Sequence, residues 1–334
     1  MTIHRHFCTY FDHRYLARGL ALHASLANVC RNDFTLWVLA LDEQAAQFLE
    51  RADIAGLRVL PLAALEAFDP ELHASRADRS LVEFYFTCSP CLPRYLFARH
   101  PEIASVTYLD SDLFFFSDPE VLFDEIGPAA VAITPHRFSA AAARSHAKFG
   151  AYNVGWLTFR NDADGRACLE WWRARCLEWC FDRVEADRYA DQKYLDRFAS
   201  LFAGVHAIAH PGANLAPWNV ASYRVAVDAG HVQVDGRALV FFHFQGLRRI
   251  AGHVYDSNLT GYGARLNDAV RDHVFRPYLA TLEQAESRVV SDAGMSGVSA
   301  SLRRRAPGLR GLRFAAGRAA RALASAAAGN LVRA

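Results

Sequence analysis

Between residues 6 and 134, short apolar runs alternate with helical patterns, and that alternation admits few folds. Segments 6–11, 34–41, 57–60, 105–109 and 130–134 predict strands. Segments 13–27, 43–52 and 80–99 predict helices, and Pro90 and Pro93 should kink or divide the last one. The β-α-β-α-β order predicts an α/β fold with a mainly parallel sheet and helices on both faces. Further on, 152–160 and 240–244 read as strands and 206–218 as a loop. A Trp-rich helix is expected over 162–181, capped by Asn161 or Asp162, and a shorter one over 188–198.

The formal net charge of +2 argues against nucleic acid as a partner of the whole chain. Charge is nevertheless uneven. After Asp292 there are eight arginines and no acidic residue, so residues 1–292 carry a formal −6. Texture changes near 285, where Ser, Gly, Ala and Arg take over. This predicts a catalytic body over 1–285 and a basic tail over 286–334. The tail is either disordered or a basic helix lying on an anionic membrane surface. Residues 1–11 contain no apolar stretch of secretory length, and no run reaches the ~18 residues of a membrane span. The seven cysteines lack matched zinc spacing and read as small buried residues of a reducing compartment. A cytoplasmic location is expected, with peripheral contact at the inner membrane face left open.

Asp110-Ser111-Asp112 lies between an apolar strand and Leu113-Phe114-Phe115-Phe116. In open α/β sheets, ligands bind beyond the carboxyl ends of strands. Two carboxylates one residue apart at such an end can reach one hard cation, manganese or magnesium. A nucleotide diphosphate would complete its shell. Ordinary turn chemistry is the competing reading, but a partly buried acid pair needs a partner.

Tyr108-Leu-Asp-x-Asp112, followed by Asp118-Pro119, resembles the metal motif of the glycogenin-like family 8 glycosyltransferases and their GT-A relatives. Four more segments resemble that family in order: Asp12-x-x-Tyr15, Asn153-x-Gly155, Asp191-Gln192 and His243-x-x-Gly246-x-x-Arg249. A narrower set of bacterial glycosyltransferase-like proteins is similar in YNVGWLTFRND, ADQKYLD and GANLAPWN. The resemblance implies a GT-A fold with a Rossmann-like sheet. It implies Mn2+ or Mg2+ held by Asp110, Asp112 and His243. It assigns Thr9, Asp12, Tyr15, Asn153, Gly155, Gly246 and Arg249 to the nucleotide-sugar donor. Asp191 and Gln192 would sit beside the reacting carbon and stabilise an oxocarbenium-like state.

Each residue also has a plainer reading. Tyr15 fits either a nucleobase or core packing. Asp12 would cap the 13–27 helix. Asn153 needs a hydrogen-bond partner, either sugar or backbone. Without its spacing, His243 would read as a core histidine. Asn214, Trp218 and Asn219, in a turn-rich loop, are candidates for an acceptor or donor-sugar site.

Three departures from the family stand out. Its arginine before the metal strand is Thr87 here, and Arg79, on the same helical face, is the expected substitute on the donor side. Lys193 replaces an acidic residue after Asp191-Gln192. Arg249 stands where lysine is usual. The leading expectation is transfer of a sugar from a nucleotide-diphosphate sugar, UDP-hexose by resemblance, to a glycan or lipid-linked acceptor with retention. A metal-dependent phosphohydrolase and a non-catalytic scaffold are the alternatives.

Overall fold

The computed structural model describes residues 3–295 and 309–334. Eight strands frame the site: β1 (His4–Phe11), β2 (Asp33–Ala40), β3 (Leu57–Pro61), β4 (Ser105–Leu109), β5 (Leu113–Phe115), β6 (Val131–Pro135), β7 (Tyr152–Arg160) and β8 (Val205–Ala207). All but β5 join one sheet, in the order β3-β2-β1-β4-β7-β6-β8. The pairs β1–β2, β2–β3, β1–β4 and β6–β8 are parallel. β7 alone runs antiparallel, against β4 and β6. The expected mainly parallel sheet is therefore present.

Successive residues of a strand face opposite layers. Phe7 and Trp156 face one core, which includes apolar residues of helices Leu16–Val29 and Arg276–Ala293. Their neighbours Cys8 and Leu157 face the other, with residues of helices Leu81–Arg99 and Ala163–Glu178. The sheet is covered on both faces.

Several boundaries follow local chemistry. Ser80 and Glu83 form a capping box that starts helix Leu81–Arg99, which runs unbroken through Pro90 and Pro93. Asp162 caps helix Ala163–Glu178 by accepting from the Gly165 amide. The first helix begins at Leu16, not at 13. Asp12 does not cap it; its carboxylate accepts from the Arg14 amide instead, at 3.0 Å. The helix expected over 188–198 is replaced by a turn, a 3-10 segment at Lys193–Arg197 and a short helix, Phe198–Leu201.

The boundary expected near 285 falls inside helix Arg276–Ala293, where Val289 is fully buried. Strand Leu331–Arg333 pairs with Val254–Asp256, which pairs in turn with Arg248–Ala251. Asn330 is buried, donates to Thr260 Oγ1 and the Ala264 carbonyl, and accepts from the Leu266 amide. The described end of the chain is thus fastened to the body. Among the described residues, no helix is long and apolar enough to cross a membrane. All seven cysteines are free, and all but Cys30 are buried.

Candidate functional site

The Asp110 amide donates to the Gly155 carbonyl at 3.1 Å, so the chain leaves β4 in contact with β7. It then turns into β5, which pairs antiparallel with Phe241–His243, placing His243 opposite Leu113. The Phe244 amide donates to the Asp112 carbonyl at 2.9 Å and locks this register. As a result, Asp110, Asp112 and His243 offer three ligand atoms within 4.8 Å of one another. His243 Nε2 is 3.0 Å from Asp112 Oδ1 and 3.6 Å from Asp110 Oδ2.

The surroundings suit a divalent cation. Asn153 Oδ1 accepts from the Gly155 amide at 3.0 Å and lies 3.2 Å from His243 Nδ1. An oxygen in that position accepts the Nδ1 proton, which leaves Nε2 aimed at the carboxylates. Two carboxylates and an imidazole form a donor set that a divalent cation can take. Gly155 makes the approach possible: a Cβ there would lie 2.6 Å from Asn153 Oδ1 and 2.9 Å from His243 Nδ1.

Charges within the group are strongly coupled. Burial raises Asp110 to about 6, with His243 opposing and Asp112 adding to the shift. Burial also acts on Asp112, but His243 and its hydrogen bond outweigh it and hold the carboxyl below the usual range. His243 is raised: burial disfavours its charged form, but Asp112 and then Asp110 prevail. An imidazolium donating from both nitrogens, to Asn153 and Asp112, fits this geometry.

The second half of the site adjoins the first. Asn153 Nδ2 donates to Gln192 Oε1 at 3.0 Å, and Gln192 Nε2 donates to the Phe149 carbonyl at 2.9 Å. Asp191 is buried and accepts from Ser89 Oγ at 2.6 Å. Burial pushes Asp191 up to about 7, against the Ser89 bond and with help from Asp110. Tyr10 shares a 3.1 Å hydrogen bond with Ser89, and Tyr108 donates to Asp110 at 3.0 Å. The two tyrosine rings lie 5.6 Å apart, so Asp191 and Asp110 are linked through one packed group.

Other candidates are placed less uniformly. Tyr15 is half-buried at the start of its helix, and Asp12 is buried. Thr9 Oγ1 is buried without a hydrogen-bond partner. Asp12 also converges with His13 and Asp42, but His13 bonds Asp42, which caps helix Glu43–Ala52. Gly246 adopts φ +75°, and a Cβ there would lie 2.2 Å from Asn258 Nδ2. Arg249 pairs with Glu286 and donates to the Tyr255 hydroxyl. Arg79 does not reach this group. Its guanidinium donates to the Cys176 and Leu177 carbonyls and lies over Phe181, because the last carbonyls of helix Ala163–Glu178 lack helical partners. Lys193, the changed charge, donates to the Ala147, Glu185 and Ala186 carbonyls and ties helix Arg144–Phe149 to the 185–186 loop.

In the 210–219 loop, the Trp218 ring meets His243 edge-on at 5.1 Å. Trp218 Nε1 donates to the His136 carbonyl. Asn219 serves the loop itself: its amide donates to the His136 and Asn214 carbonyls and its oxygen accepts from Ala216. Asn214 has φ +61° and a buried, unpartnered Oδ1. Sequence reasoning missed Ser89 and Arg18. A serine between Cys88 and Pro90 gives no signal, whereas Arg18 on the apolar face of the first helix was an available one.

YfnF of Bacillus subtilis (strain 168), an uncharacterized protein, is 31% identical over 252 residues, covering 73% of this chain and 82% of YfnF. The chain belongs to the YfnF family. YfnD of the same organism, also uncharacterized, is 29% identical over 281 residues, covering 84% of this chain and 89% of YfnD. No family model matches. Among solved structures, the galactosyltransferase LgtC in complex with donor and acceptor sugar analogues superposes with a TM-score of 0.51 at 16% identity. That likeness covers 84% of this chain and 95% of LgtC. The fold is of the GT-A type, as the resemblance implied.

Proposed function

We propose that this chain is a metal-dependent glycosyltransferase that takes a nucleotide-diphosphate sugar, with UDP-hexose the leading donor, and passes the sugar to a glycan or lipid-linked acceptor. The convergence of Asp110, Asp112 and His243 at the carboxyl end of β4, beside the Asn153–Gln192 pair, carries this reading. Those three residues would hold Mn2+ or Mg2+. Bound there, the cation would offset negative charge on a leaving diphosphate. Tyr15 and Asp12 would take the base, and Asn153 and Gln192 the sugar. Asp191, ionised, would stabilise positive charge at the anomeric carbon. Retention of configuration follows by analogy with the resembled family.

Trp218, edge-on to His243 and only 3% exposed, would support the sugar site from behind. The arginines after Asp292 support peripheral contact with an anionic inner membrane surface, where a lipid-linked acceptor would be met. Liposome co-sedimentation checks that part; equal sedimentation with neutral and anionic vesicles counts against it.

A nucleotide-sugar panel incubated with manganese tests the main reading. Slow hydrolysis of one donor is the expected result. Cleavage of simple phosphate esters alone would favour a phosphohydrolase, and no binding or turnover would favour a scaffold.

A further inference from the structure

Arg18 is the oddest charge in the molecule. It sits one turn into the first helix and is 7% exposed. Asp110 and Asp112 pair with His243 instead, and Arg18 joins no ion pair among the described residues. One Nη donates to the Leu247 carbonyl at 3.0 Å, and the guanidinium lies 4.5 Å over the Tyr15 ring. Its Nε, fully buried, has no hydrogen-bond partner. The buried Tyr278 hydroxyl lies within hydrogen-bonding reach of the guanidinium but leaves its Nε unpaired. Buried guanidinium groups are normally paired, because an unpaired charge away from water is costly.

What surrounds Arg18 points to its missing partner. Tyr15 belongs to the segment expected to meet the base. Leu247 follows Gly246 in the loop that leads from His243 to Arg249. Asp112 is close enough for its carboxyl to feel the Arg18 charge. Arg18 therefore lies where the base side, the metal side and the 244–249 loop converge. Arg249, the cation that the resemblance assigned to the donor, is already engaged by Glu286 and Tyr255.

The charge balance favours the same answer. A divalent cation would cancel Asp110 and Asp112 and leave a bound diphosphate unmatched. A guanidinium supplies forked donors suited to phosphate oxygens.

We propose that Arg18 is a diphosphate-binding residue, completing its buried donor set with phosphate oxygen of the nucleotide. This rests on the donor reading above. A purely supporting role, holding Leu247 in place, is the rival.

Titration calorimetry on the full chain with manganese separates the two. UDP, GDP and ADP are screened first, and the tightest is compared with its own nucleoside. Arg18→Met should weaken the diphosphate about 10- to 100-fold, the usual weight of a charged hydrogen bond, and leave the nucleoside unchanged. An equal loss for both, or none for either, overturns the assignment while the donor reading stands. If the wild type binds none of the three diphosphates, the donor reading itself fails and takes the assignment with it. Should Arg18→Met not fold, Arg18→Lys carries the test. It keeps the charge but loses the fork, so the preference for diphosphate over nucleoside should fall about threefold; an unchanged preference overturns the assignment.

Discussion

His243 Nδ1 lies 3.2 Å from Asn153 Oδ1, and this contact joins the Asp110–Asp112–His243 cluster to the Asn153–Gln192 pair. Asn153 reaches Gln192 through its other amide atom. One side chain thus orients the imidazole and meets the residue expected beside the sugar. Asn153→Ala should weaken manganese binding about 10- to 100-fold, as loss of a partner behind a metal-bound histidine does. Asn153→Asp, which keeps the acceptor, should recover part of it. Calorimetric titration with manganese checks both, and unchanged affinity in Asn153→Ala would break the link.

Metal affinity should rise with pH. A cation must displace the proton on His243, whose pKa lies above the ordinary 6.5. It also needs Asp110 ionised, which occurs above about 6. Both changes favour binding at higher pH and release as pH falls. Manganese titrations at pH 5.5, 6.5 and 7.5, taken as roughly even steps across these values, read this directly. Affinity independent of pH would mean that the ligands are misassigned.

Arg79 holds the Cys176 and Leu177 carbonyls at the end of helix Ala163–Glu178. Arg79→Ala should leave nucleotide affinity intact and cost about 1–3 kcal/mol of stability, since it strips donors from buried helix-end carbonyls. Thermal melts and nucleotide titrations separate these outcomes. A selective loss of donor binding would restore the role expected from the sequence.

Glu286 restrains Arg249, and the residues lie on segments distant in sequence. Glu286→Gln should loosen the guanidinium, still held by Tyr255 and Glu283, and tighten diphosphate binding by about threefold, a modest gain suited to a half-exposed pair. Weaker diphosphate binding in this variant would show that the pair holds Arg249 in its working position.

The chain end is structural. Asn330→Ala should destabilise the protein by about 2–4 kcal/mol, because three hydrogen bonds, one buried and two partly buried, are lost together. Chemical denaturation measures this, and a change below about 0.5 kcal/mol would mark Asn330 as dispensable.

Most of the sheet was readable because its strands are buried on both faces and appear as apolar runs, as in 105–109. Asp110 and Asp112 were readable from their place after such a run. His243 needed the resemblance, since only the pairing of β5 with Phe241–His243 brings it to the acids. Composition said nothing of the contacts at the tail: an Ala- and Arg-rich stretch hides Asn330 and Val332, whose burial depends on partners some 70 residues earlier. The contacts of Arg79 were unreadable for a related reason. Helical spacing gave its face, but the open carbonyls that claim it belong to another helix.

Electron paramagnetic resonance of manganese, titrated against the full-length protein with and without UDP, tests the central claim most directly. The wild type should show one bound ion, held more tightly when UDP is present, and Asp112→Ala should lose it. Manganese binding that survives Asp112→Ala, or that ignores UDP and every other nucleoside diphosphate, would contradict a metal-held diphosphate site.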